Sequence, residues 1–163
     1  MIISGKSRAG PRQLAAVLLC TESNDAVDVL HVDFSASGNP AEAIEDMQIL
    51  SMATRGTKGL YHARIDPGAY AMTEAQWLRT VEVLEEELGL HDQPKVIVLH
   101  ESDGDEHLHV VWARTDMDTW MLRRDSLTYA AHERASLRLE REFGHEHLPG
   151  KFVKADPGHG DIL

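Results

Sequence analysis

Residues Lys95–Arg114 read KVIVLHESDGDEHLHVVWAR, two apolar runs joined by the turn-prone stretch Glu101 to Glu106. His107 and His109 are two apart among β-forming residues, so they point to one face of a strand. His100 ends the first run. Closing the runs as a hairpin sets His100 opposite His107 and Val98 opposite His109, and the three imidazoles then share a face. Ile97, Leu99, Leu108, Val110 and Trp112 take the other face. Neutral imidazole is the commonest protein ligand for a divalent metal, and three imidazoles with coordination positions left over describe a catalytic centre rather than a closed structural one. One His-x-His in a chain with ten histidines carries little weight. The third histidine, delivered by the hairpin partner, makes His100, His107 and His109 the expected ligands. Sites of this kind accept manganese, magnesium or zinc.

Outward from the hairpin the chain punctuates cleanly. Pro11 to Thr21 has helical composition with proline at the first turn, and Ala26 to Phe34 alternates as a strand. Pro40 opens a helix through about Thr54, with Ile44, Met47 and Leu50 or Ser51 facing the core. Gly59 to Ile65 reads as a strand closed by Asp66-Pro67-Gly68. Thr73 is a good N-cap for a helix over Glu74 to Leu88, and Gly89 a good C-cap. On that helix Trp77, Val81, Leu84 and Leu88 fall at core spacing. After the hairpin come a turn at Asp116 to Thr119, a short strand near Trp120 to Leu122, and a helix from about Ser126 to Phe143. This order predicts an α+β fold, a central, mostly antiparallel sheet of about five strands flanked by helices. Residues 1–150 are expected to form one domain, and 151–163 a flexible tail.

Composition bounds the function. The chain has 163 residues, 42% hydrophobic and 26% charged, ordinary for a soluble globular domain. No apolar stretch approaches a membrane span. The single cysteine, Cys20, excludes an internal disulfide and fits a reducing, cytoplasmic compartment. A formal net charge of −11 has the wrong sign for a general nucleic-acid binder. The bases are nevertheless grouped: Lys6, Arg8 and Arg12 precede the first acid, and Arg55, Lys58 and Arg64 form a second set.

Several blocks carry a resemblance. GLYHARIDP (Gly59 to Pro67), MTEAQW before a helix ending ELGL, VIVLHESDGDEHLHVVWARTD (Val96 to Asp116) and a final helix ending LEREFG stand in the order found in one family. From Gly5 to about Gly150 the chain resembles the relaxase, or plasmid mobilisation nuclease, domain of the HUH endonucleases. His-x6-His-x-His is that family's metal-binding arrangement. The resemblance implies a five-stranded antiparallel core sheet and metal-dependent nicking of single-stranded DNA in plasmid or mobile-element transfer. A divalent ion on His100, His107 and His109 would polarise the scissile phosphate while a tyrosine attacks, leaving a 5′-phosphotyrosyl adduct and a free 3′ hydroxyl. Lys6, Arg8, Arg12, His62 and Arg64 become the expected DNA contacts. Single-stranded DNA or a DNA hairpin, with other mobilisation proteins, are the implied partners; no membrane is.

The chain departs from the family pattern at two positions. Val17 stands where the first-helix nucleophile is expected, and Ala113 where members tend to carry asparagine. A valine cannot attack phosphorus. Tyr129, at the start of the last helix with His132 one turn on, is the expected substitute, as related replication initiators of permuted order place their tyrosine on a later helix. Tyr61, Tyr70, His31 and a metal-activated water are weaker candidates. Loss of nicking would leave a catalytically degenerate DNA-binding or accessory module of a mobilisation complex. A small metal-dependent hydrolase of another phosphoester is the reading outside nucleic acids.

Overall fold

The computed structural model describes residues 1–149, so the expected tail lies outside the described residues. In chain order the elements are β1 (Ile2–Arg8), α1 (Pro11–Leu18), β2 (Ala26–Val32), α2 (Pro40–Leu50) with a 3-10 turn (Ser51–Ala53), β3 (Leu60–Asp66), α3 (Glu74–Leu88), β4 (Lys95–Ser102), β5 (Asp105–Ala113), β6 (Thr115–Asp116), β7 (Met121–Leu122) and α4 (Thr128–Phe143). Five strands form one sheet in the order β1-β3-β5-β4-β2, and every neighbouring pair is antiparallel. The expected α+β architecture is therefore the observed one.

Strand membership differs from the expectation. Residues Ile2–Arg8 pair with β3 and supply an edge strand, whereas the short strand near Trp120 pairs only with β6 in a separate two-stranded ribbon. The sequence IISGKSR hides its strand because its alternation is polar on one side and broken by Gly5 on the other. An edge strand needs no continuous apolar pattern, because neighbours cover it only in part.

The sheet is covered on both faces. Beneath one face Trp77, Val81 and Leu84 of α3 and Ala135 and Leu139 of α4 pack against Ile3, Tyr61, Ala63, Ile65, Ile97, Leu108, Val110 and Trp112. Trp77 is close to fully buried, and each such side chain contributes about 2–3 kcal/mol of burial. Helix α3 begins with the expected cap, widened to a reciprocal box: Thr73 Oγ1 accepts from the Gln76 amide, and Gln76 Oε1 from the Thr73 amide. On the opposite face Leu14, Ala15 and Leu18 of α1 and Ala43, Ile44 and Met47 of α2 cover Leu60, Val96, Val98, Val111 and Ala113. Ala113 is wholly buried there. The C-terminal end of α1 reaches the histidines, with the Leu18 carbonyl against His100.

Candidate functional site

The hairpin register is the one expected: His100 pairs with His107 and Val98 with His109. Strand β3 then sets Arg64 beside His109 and His62 beside Val111, and β1 sets Lys6 beside His62 and Arg8 beside Leu60. Because side chains alternate across a sheet, Lys6, Arg8, His62, Arg64, His100, His107 and His109 all project from one face.

The imidazoles touch. His100 and His109 have ring centroids 4.3 Å apart, and His62 stacks on His109 at 5.2 Å. His62 Nε2 and His109 Nδ1 lie 2.9 Å apart, so one of them donates to the other. Burial pulls His109 down to about 3, helped by His62, His100 and Arg64. Burial likewise pulls His62 down to about 4, helped by Arg8, His100 and Lys6. Both rings are therefore neutral near neutral pH.

Gathering the rings does not by itself make a metal centre. His100 Nε2 lies 2.5 Å from the Leu18 carbonyl oxygen. A carbonyl can only accept, so that nitrogen carries its proton and has no lone pair for an ion. His109 uses Nδ1 toward His62, and His107 Nε2 turns toward Asp66, 3.7 Å away. Among the described residues no three His, Cys, Asp or Glu side chains are arranged to hold a metal ion. As they stand, His100, His107 and His109 share a face without converging their donor atoms.

Next to the imidazoles lies a cleft of about 370 Å³ lined by Ser4, Gly5, Lys6, Arg8, His62, Arg64, Tyr129 and His132. Five of these were expected from sequence, and the cleft brings them together from β1, β3 and α4. Arg8 carries the sharpest electrostatic feature: its Nε–H is buried and, among the described residues, meets no acceptor. A buried donor on a cation without an acceptor costs more than an ordinary lost hydrogen bond, and an anion entering the cleft would supply the missing partner.

The other expected residues go elsewhere. Arg12 sits on the outer side of α1, with Nε 3.5 Å from Glu45 Oε2, in a different hollow. Tyr61 is only 2% exposed in the opposite core, its hydroxyl 2.8 Å from His132 Nε2. Tyr70 stacks on His145 and accepts the Glu146 amide. His31 pairs with Asp33 on the far edge strand. Tyr129 alone among the three tyrosines lines the cleft, and it is 53% exposed. Val17 is 62% exposed on the last turn of α1.

Sequence reading missed His132 as a lining residue and Asp66 as the neighbour of His107. Asp66 reads locally as a strand terminator; its cross-strand place near His107 follows once β3 is paired with β5.

Comparison with known proteins agrees with this fold. The family model described as the nuclease domain of MobA/VirD2-like relaxases matches residues 19–145. A solved chain from work on the molecular basis of vancomycin resistance transfer in Staphylococcus aureus superposes with a TM-score of 0.55 at 9% identity. That superposition covers 96% of this chain and 100% of the other, and it establishes likeness of fold. No curated protein sequence matches the chain significantly. Among the described residues no helix is long and apolar enough to cross a membrane.

Proposed function

The chain belongs to the MobA/VirD2-like relaxase nuclease domain family, and from that premise we propose that it binds and nicks single-stranded DNA at the β1–β3 cleft, with Tyr129 as nucleophile. The supporting observation is the cleft itself, where the orphaned Arg8 Nε–H, Lys6, Arg64 and neutral His62 meet the one tyrosine that lines it. Phosphoryl transfer depends mainly on positioning and on neutralising charge over the equatorial oxygens. Arg8 and Arg64 supply that neutralisation. The Tyr129 oxygen bonds to phosphorus as the bond to the 3′ oxygen breaks. The phenolic proton passes to the departing oxygen, with neutral His62, which lines the same cleft, as its carrier in this reading.

The family generally uses a divalent metal. His100, His107 and His109 are the residues that would hold such an ion, which would polarise the scissile phosphate; among the described residues no three side chains are arranged around one, and no step here runs through it. His100 would then offer Nδ1, because donation from Nε2 to the Leu18 carbonyl fixes that tautomer.

The test uses a pool of end-labelled single-stranded oligonucleotides followed by denaturing electrophoresis. A covalent protein–DNA adduct is expected, and it should vanish in Tyr129→Phe. An adduct that survives this substitution moves the nucleophile elsewhere, and cleavage without an adduct assigns the attack to water. A second reading is favoured by Val17 at the family's nucleophile position. On it the domain is a catalytically degenerate DNA-binding or accessory module, recognised by steeply salt-dependent binding with no cleavage.

A further inference from the structure

Past the start of β3, away from the histidines, the β6–β7 ribbon carries the chain's one exposed tryptophan. Trp120 is 46% exposed, whereas Trp77 and Trp112 are 1% and 0% exposed. Trp120 is held in the left-handed region at φ 54°, a conformation that a bulky residue rarely adopts. The ribbon imposes it. The Trp120 amide donates to the Asp116 carbonyl, the Asp116 carboxylate accepts from the Asp118 and Thr119 amides, and Arg123 pairs with that carboxylate. The indole therefore stands on a rigid turn.

Beside it runs a groove of about 480 Å³ lined by Arg55, Gly56, Trp120, Met121 and Leu122. Its floor depends on Gly56, because a Cβ there would lie 2.2 Å from Leu122 Cδ1. Arg55 lines the groove, and Lys58 and Arg124 nearby in the chain are exposed. Of the neighbouring carboxylates, Asp116 is held by Arg123 and Asp125 by Ser7 and Arg114, while Asp118 is exposed in the same turn, so three cations, Arg55, Lys58 and Arg124, stand against that one acid. An apolar platform thus lies among cations in a chain of net charge −11. That combination of an aromatic face and loose positive charge suits an unpaired base with its phosphate. The groove is also within reach of the proposed DNA cleft: Gly56 and His62 are six positions apart, at most about 20 Å of chain.

We propose that Trp120 and Arg55 form a second contact for single-stranded DNA, the indole stacking on a base a few nucleotides from the phosphate held at the β1–β3 cleft. This rests on the DNA-binding reading above and adds to it where the strand travels.

Because only Trp120 is exposed, acrylamide quenching of tryptophan fluorescence in the wild-type chain reports on this residue. Bound oligothymidylate should shield it, while anisotropy of a labelled oligonucleotide follows binding independently. Trp120→Ala should weaken binding roughly five- to a hundredfold, and Arg55→Ala should weaken it several-fold and lower its salt dependence. Oligonucleotide binding with unchanged quenching, or unaltered affinity in Trp120→Ala, overturns this contact and leaves the cleft reading standing. Absence of binding in the wild type overturns both. Sedimentation adds a further arm: a wild-type dimer that Trp120→Ala converts to monomer would make the groove a self-interface and also overturn the proposal.

Discussion

Helix α4 buries an imidazole against the core, and that burial should be legible in the acid sensitivity of the fold. His132 is 3% exposed and bonded to the Tyr61 hydroxyl at 2.8 Å. Burial alone pulls it from 6.5 to about 4. The folded chain keeps this ring neutral, whereas the unfolded chain takes up a proton below its ordinary value. Stability from this group is therefore complete above pH 6.5 and is lost as the pH falls toward 4. The loss is about 1 kcal/mol at pH 6, about 2 kcal/mol at pH 5 and about 3 kcal/mol when complete. His132→Gln keeps a neutral polar side chain but removes the titration. It should cost about 1 kcal/mol at pH 7.5 through poorer packing. Wild type and variant should then converge near pH 6, with the variant about 1 kcal/mol the more stable at pH 5. Urea unfolding at pH 7.5, 6 and 5 gives the difference directly, and acid effects common to both proteins cancel. A gap that stays constant across this range would refute the claim that His132 is buried neutral.

Three further outcomes follow from the contacts described. Arg8→Ala should weaken single-stranded DNA binding and reduce the slope of log affinity against log salt by about one. Its thermal midpoint should move by no more than about 2 °C, because the lost Nε–H had no partner. Glu85 accepts from Lys95 Nζ at 2.8 Å and from Trp112 Nε1 at 2.9 Å, so Glu85→Ala should cost about 3 kcal/mol, read as a fall of roughly 6–12 °C in thermal midpoint. Glu85→Gln, which keeps an acceptor, should lose about half as much. If Lys6, Arg8 and Arg64, which line the cleft, supply the anion contacts as proposed, treatment with a chelator should leave oligonucleotide affinity, measured by anisotropy, within about twofold. A collapse of binding on chelation would show that an ion is needed to hold the strand.

How far the sequence reached depended on the range of the signal. The histidine hairpin was legible because its register is set by one local loop and a period of two, and the cap of α3 because Thr73 and Gln76 are three residues apart. Strand β1 was not: its residues become a strand only through pairing with β3 more than fifty positions away. The cleft was half visible. Basic residues and a spare tyrosine could be named, but the packing of α4 against β1 that joins them leaves no local mark. Arg12 looked equivalent to Arg8, yet it lies in α1 rather than on the sheet. Nothing local could reveal that the Leu18 carbonyl would claim His100 Nε2, because that bond spans 82 positions. Ligand spacing points to the imidazole cluster, and long-range packing adds hydrogen bonds to it that spacing alone does not show.

The position of β1 at the margin of the sheet has a consequence for handling the protein. A bare edge invites a second chain to add on as a further strand, and protruding lysines are a common defence against that. Lys6 occupies this rim, so replacing it to abolish DNA recognition also removes a guard against aggregation. Comparisons of such variants belong at low protein concentration, with particle size followed alongside.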